Sequence, residues 1–128
     1  MNKRSGIYLV QPQQSELKII YNQNDANKVG NYETILKVNK NNLKFGQSKN
    51  FHKRFEEFID IFGSNVKFVE VVEIDNYAKL SEFKKHIKEI FRSYCLKSLK
   101  NGRIMDWMKD ISLEKAQKTI LDEYKKFD

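Results

Sequence analysis

Cysteine is nearly absent from this chain: Cys95 stands alone among 128 residues. One cysteine excludes an internal disulfide framework and fits a reducing compartment. It falls at helical spacing from Ile87, Phe91 and Tyr94, which points to a packed thiol rather than a nucleophile. Proline occurs once and glycine five times, which leaves little material for long linkers. No apolar run approaches the ~20 residues needed to cross a bilayer. The basic start Met1-Asn2-Lys3-Arg4 runs into a strand-like stretch too short for a signal peptide, so a cytoplasmic protein is expected. Neither a Cys/His metal cluster, a glycine-rich phosphate loop nor a Ser-His-Asp order is present. Internal repeats and low-complexity segments are missing too.

Acid is scarce in two windows. From Lys37 to Arg54 there are six basic residues and no acid; from Lys84 to Arg103 there are seven, with Glu89 as the one acid. Each window carries +6, so with a net charge of +7 the remainder sums to −5. Clustered positive charge is what a polyanion partner would select, because neutralised phosphates release counterions. A lysine-rich surface encoded by an AT-rich genome fits the same composition, and lysine, asparagine and isoleucine are all abundant. Apolar residues make up 40% and charged residues 32%, a balance that supports one folded domain over residues 1–128 rather than a disordered chain.

Pattern along the chain predicts a small mixed, mostly antiparallel sheet flanked by helices, of the α/β (α+β) class. Gly6 to Gln11 reads as a strand ended by Pro12, and Leu17 to Tyr21 as a second candidate. Gln23 to Asn31, drawn largely from Asn, Asp and Gly, reads as loop. Thr34 to Val38, the turn Asn39–Asn42 and Leu43 to Gly46 look like a hairpin. Asn50 can cap a helix whose Phe51, Phe55, Phe58 and Phe62 share one face, with Gly63 ending it. Val66 to Ile74 is strand-like. Asp75 or Asn76 can cap a helix with Leu80, Phe83, Ile87, Ile90, Phe91 and Tyr94 on its apolar face. Asn101-Gly102 is a turn. Ser112 gives half a capping signature to a last helix, about 112–127, that could extend the core, bind DNA or form a dimer contact. Trp107 could be core or a platform for DNA.

Three segments then stand out together: Gly6-Ile7-Tyr8 on the first strand, Lys44-Phe45-Gly46-Gln47-Ser48, and Arg54 eight residues after Gly46. With Glu82 on a later helix, this order of parts resembles the GIY-YIG nuclease superfamily over roughly the first three quarters of the chain. Two departures are visible. Lys44 replaces the second motif's tyrosine, as is common in phage and large-virus branches. The step from Tyr8 to Lys44 is longer than usual, implying an inserted loop or hairpin at about 12–33. An alternative register takes Thr34 to Val38 as the first strand, which forfeits Gly-Ile-Tyr and leaves Tyr32 as the nearest phenol; the register through Tyr8 is preferred.

The resemblance implies a metal-dependent DNA endonuclease of phage, viral or mobile-element type, leaving a 5′-phosphate and a 3′-hydroxyl. Tyr8 would be the general base, its proton affinity lowered by Lys44, Arg54 or a metal. Arg54 would hold the phosphoryl oxygens, and Glu82 would carry one Mg²⁺ or Mn²⁺ with several waters. Lys49, Lys53, Lys84, Lys85, Lys88, Arg92 and Arg103 would grip flanking backbone, with His52 and His86 as auxiliary groups. Each has a plainer role open to it. Tyr8 could pack at a sheet edge, Arg54 and Lys44 could be solvated charges, and Glu82 could pair with Lys85 or His86 along its helix. His52 and His86 could be ordinary surface residues. A non-catalytic nucleic-acid binding module on the same fold, and a protein-interaction domain whose charge is incidental, compete with the nuclease reading. DNA is the expected partner and no membrane is; oligomeric state, including a homodimer, stays open.

Overall fold

The computed structural model describes residues 4–24, 31–99 and 102–127. Strands and helices follow in the order β1 (Gly6–Gln11), β2 (Leu17–Asn24), β3 (Asn31–Val38), β4 (Leu43–Ser48), α1 (Phe51–Phe62), β5 (Lys67–Glu73), α2 (Tyr77–Phe91), β6 (Cys95–Lys97), β7 (Ile104–Met108) and α3 (Leu113–Phe127), with a short 3₁₀ turn at Arg92–Tyr94. The class is α+β. A five-stranded sheet has the order β5-β1-β4-β7-β6, and β2 and β3 form a separate two-stranded sheet. Every pairing is antiparallel. The β2–β3 pair stands between β1 and β4 in the chain, where an insertion is expected at about 12–33, and runs on to Val38. Of the loop expected over Gln23 to Asn31, Gln23 and Asn24 belong to β2 and Asn31 to β3, and residues 25–30 lie outside the described residues.

Alternation on β1 builds two cores. Ile7 and Leu9 point to one face, packing with Leu43, Phe45, Phe83, Ile87 and Ile120 under α2 and α3. Tyr8 and Val10 point to the other, with Leu36, Val38, Phe51, Phe58, Phe62 and Trp107 under α1 and β3. A strand buried on both faces reads as a continuous apolar run, and Gly-Ile-Tyr-Leu-Val is one. Each fully buried Phe, Leu or Ile contributes about 1.5–3 kcal/mol, so the two layers, rather than surface pairs, hold the sheet. Gly6 is required sterically: a Cβ there would lie 1.9 Å from the Val72 carbonyl oxygen and 2.9 Å from the Phe51 ring.

The helices start where their caps dictate. The Asn50 side chain accepts from Lys53 N–H, that of Asn76 from Lys79 N–H, and the Ser112 hydroxyl from Lys115 N–H. Gly63 ends α1, donating its N–H to the Ile59 carbonyl at φ +90°. Two expectations are corrected. The Asn39–Asn42 turn exists, with Asn42 N–H on the Asn39 carbonyl, but β3 and β4 do not pair across it. Strand β4 is interior and takes β1 and β7 as neighbours, while β3 turns back on β2. The apolar face continued through Tyr94 and Cys95 is not one helix: α2 stops at Phe91 and Cys95 opens β6. Trp107 is buried at 1% exposure on β7, edge-on to Phe62, which makes it core.

Candidate functional site

Strand β1 lies directly against β4, with Tyr8 opposite Gly46 and Val10 opposite Lys44. Strand β3, which bears Tyr32, belongs to the other sheet, so the strand that meets Lys44-Phe45-Gly46 is the one carrying Gly6-Ile7-Tyr8. The Tyr8 phenol lies across Gly46: a Cβ at Gly46 would sit 2.3 Å from its hydroxyl oxygen. Phe68 stacks on the ring at 5.1 Å and Phe58 tilts against it at 5.5 Å, leaving Tyr8 only 3% exposed. On its other side β1 meets β5 through a bulge between Ile7 and Tyr8, which sharpens the local twist beside Tyr8.

Strands β4 and β7 are paired only at Leu43–Met108 and Lys44–Trp107. Past those two pairs they part, and an open hollow of about 280 Å³ lies beside this fork. Tyr8, Lys44, Arg54 and Lys84 line it together with Gly46, Gln47 and Glu57. Three cations and a phenol thus converge from β4, α1, α2 and β1. Arg54 sits on the first turn of α1 because Ser48 and Asn50 fix the strand-to-helix corner: the Ser48 hydroxyl donates to the Asn50 carbonyl and accepts from Asn50 N–H. Glu57, one turn on, holds the guanidinium at 3.1 Å. That pair is exposed enough for solvent to weaken it.

Lys84 is positioned by Asp106 on β7, whose two carboxylate oxygens take Lys84 Nζ at 2.6 Å and Lys88 Nζ at 3.0 Å. Burial pushes the Asp106 carboxyl up, but the hydrogen bond and charge of Lys84, with Lys88 and Lys44, more than offset this and hold it below its ordinary value. Lys44 behaves oppositely. Burial lowers its ammonium to about 8, the Asp106 carboxylate opposes this, and the positive charges of Lys84, Arg54 and Lys88 add to the lowering. A third cation packed beside two others and ready to lose its proton marks a site of concentrated positive potential.

Of the backbone-gripping set, Lys49 and Lys53 line a neighbouring hollow of about 460 Å³ at the start of α1. Lys88, Arg92 and Arg103 line another of about 290 Å³ beyond Lys84. The three hollows are linked by Arg54 on one side and by the Lys84–Asp106–Lys88 cluster on the other. Lys85 is exposed on α2 and lines none of them. His52 is exposed and bonded to Glu56 at 2.6 Å, and His86 bonds Glu123 on α3 at 3.0 Å, so both auxiliary histidines are engaged elsewhere.

Glu82 does not join the hollow. It is exposed on α2, and at about 100° per residue it stands roughly 200° around the helix from Lys84. The carboxylates close to the hollow, Glu57 and Asp106, are held by Arg54 and by two lysines. No group of three or more His, Cys, Asp or Glu able to hold a metal occurs among the described residues. The donors here therefore do not fit an Mg²⁺ or Mn²⁺ site at the phenol: Lys44, Arg54 and Lys84 line the hollow with it, and the carboxylate in that lining, Glu57, is taken by Arg54. Cys95 is no nucleophile either, since burial and then the Asp106 charge push its thiol up to about 11 while its Sγ–H rests on the Phe91 carbonyl.

Sequence reasoning missed Asp106, Gln47, Glu57 and Tyr77. The sequence signal at Asp106 is that of an acid among the apolar residues Ile104, Met105, Trp107 and Met108, just past a basic window. No family model matches the chain, and no curated protein or solved structure matches it either. Among the described residues no helix is long and apolar enough to cross a membrane.

Proposed function

We propose that this chain is a DNA-binding domain of GIY-YIG nuclease type, acting in the cytoplasm, whose hollow seats and hydrolyses a phosphodiester. The observation that carries the reading is the convergence of Tyr8, Lys44, Arg54 and Lys84 on one open hollow. Arg54 can donate two parallel hydrogen bonds to the non-bridging oxygens. Lys44 and Lys84 add charge where negative charge grows during attack. As the phenolate, the Tyr8 oxygen can accept the proton that an attacking water must lose, and the leaving 3′ oxygen takes up a proton from solvent. The outer hollows extend a basic track to the backbone on both sides, which supports a long polyanion better than a single small phosphate.

The resemblance led us to expect Mg²⁺ or Mn²⁺ on Glu82, and the geometry does not favour it. The face of α2 toward the hollow offers Lys84 and Lys88, and no step above needs a metal. The same observation favours a second reading, a non-catalytic module that grips DNA through these cations.

Nicking of supercoiled plasmid separates the two. We expect the parent protein to relax the plasmid, and Arg54→Ala and Tyr8→Phe to lose at least about 100-fold in rate while keeping most DNA affinity. Equal rates in the parent and Arg54→Ala would overturn the site assignment. Absence of nicking with Mg²⁺, Mn²⁺ or chelator, alongside salt-sensitive binding, moves the protein to the second reading. Absent or salt-insensitive binding removes both and leaves a protein-interaction domain.

A further inference from the structure

We infer that the hollow at the start of α1 is a second subsite, which takes an unpaired nucleobase and its phosphate next to the phosphodiester held by Arg54, with Tyr77 as the stacking platform. The inference rests on the reading of the first hollow as a phosphodiester seat. Four observations carry it. The subsite is continuous with that seat, because Gln47, Arg54 and Glu57 line both hollows. Its size, about 460 Å³, falls within the range of about 300–1,000 Å³ usual for small-ligand sites. Its wall includes Tyr77, the first residue of α2, which is 53% exposed although its neighbour Leu80 is buried. Finally, the Gln47 amide oxygen is buried without a hydrogen-bond partner, an acceptor that goes unused until something donates to it.

The chemistry of the wall selects the ligand. An exposed phenol ring flanked by ammonium groups has an apolar face for a base and charge for the phosphate attached to it. Lys49 Nζ rests 4.3 Å from the centre of the Tyr77 ring in this structure. That cation–π contact is worth about as much as an exposed lysine on an aromatic face usually gives, so a stacking base displaces it readily, and the released ammonium then meets the phosphate beside Lys53. Turned into the hollow that its side chain lines, the Gln47 oxygen can accept from an exocyclic amine of adenine or cytosine. A base inside a duplex has both faces covered by its neighbours. Only an unpaired base, in a single strand or a frayed end, can present one to Tyr77.

Binding of a short fluorescent single strand and of its duplex, measured by anisotropy in chelator, tests this. Tyr77→Ala should lose at least about fivefold in affinity for the single strand, Tyr77→Phe should match the parent, and all three should bind the duplex alike. The position is exposed, so neither change threatens folding. If the parent binds and Tyr77→Ala holds the single strand as tightly, the subsite is wrong and the phosphodiester seat stands. If Tyr77→Phe falls as far as Tyr77→Ala, stacking is wrong. If the parent binds neither form, the seat and the subsite fall together.

Discussion

Helix α2 has two polar edges, and they meet different surroundings. One carries Tyr77 beside the end of β4 and the start of α1, and Lys84 and Lys88 toward β7, where Asp106 holds both lysines. The other carries Glu82 and His86; His86 leans on Glu123 of α3 and packs against Phe83 of its own helix and Phe127 of α3, and Glu82 is exposed. Between them lies the apolar stripe of Leu80, Phe83, Ile87 and Phe91. Once that stripe is buried, helical periodicity leaves no freedom in which polar residue faces the hollow. An acid two positions from a cation is on the wrong edge. The site is therefore built from positive charge, and the acid that matters comes from β7.

The largest effect in this comparison is expected at Asp106. Asp106→Asn removes the charge that neutralises Lys84 and Lys88 in a half-buried cluster, leaving two ammonium groups with Lys44 nearby and no counter-charge. We expect a stability loss of about 1–3 kcal/mol by urea denaturation. Lys84→Met should cost less stability. It should reduce the slope of log affinity against log salt by about 0.9, one phosphate contact. An unchanged slope would show that Lys84 serves Asp106 alone.

Lys44 gives a pH signature with a definite sign. Its ammonium titrates near 8 in the folded protein against about 10.5 ordinarily. Between those values the unfolded chain binds more protons, so stability rises with pH across the window, and below pH 8 the cost of a buried charge is fully present. Lys44→Met should therefore melt higher than the parent at pH 7, with the gap closing toward pH 10. DNA affinity should run the other way. The parent should weaken as pH rises through 8 while Lys44→Met stays flat, and a parallel profile in the two proteins would remove Lys44 from the phosphate.

Much of this was legible in the sequence because it is local. The caps at Asn50, Asn76 and Ser112, the phenylalanine face of α1 and the apolar run of β1 each follow from neighbours a few residues apart. Tyr8, Lys44 and Arg54 were found because a strand pair and the corner after it fix their spacing. What was not legible depends on distant partners. An asparagine-rich turn implies a hairpin between β3 and β4, yet β4 is interior and pairs with β1, some 35 positions away in sequence. The three-residue β6 and the five-residue β7 are too short for periodicity to declare. Asp106 could not be tied to Lys84 without that pairing, nor Glu82 removed from the hollow without knowing which edge of α2 turns inward.

Glu82 supplies the smallest expected effect and the sharpest test of the two edges. Its carboxylate is exposed and stands about 200° from Lys84 around the helix axis. Exposed substitutions away from packed or paired groups usually change stability by less than about 0.5 kcal/mol. Glu82→Ala should therefore leave stability within about 0.5 kcal/mol of the parent, and oligonucleotide affinity and plasmid nicking within about twofold. The same assay in Mg²⁺ and in chelator should give matching rates for the variant and the parent in each condition. A selective loss of Mg²⁺-dependent nicking in Glu82→Ala, with binding intact, would mean that α2 turns this edge toward the phosphate when DNA binds, and the division of the helix argued above would then hold for the free protein only.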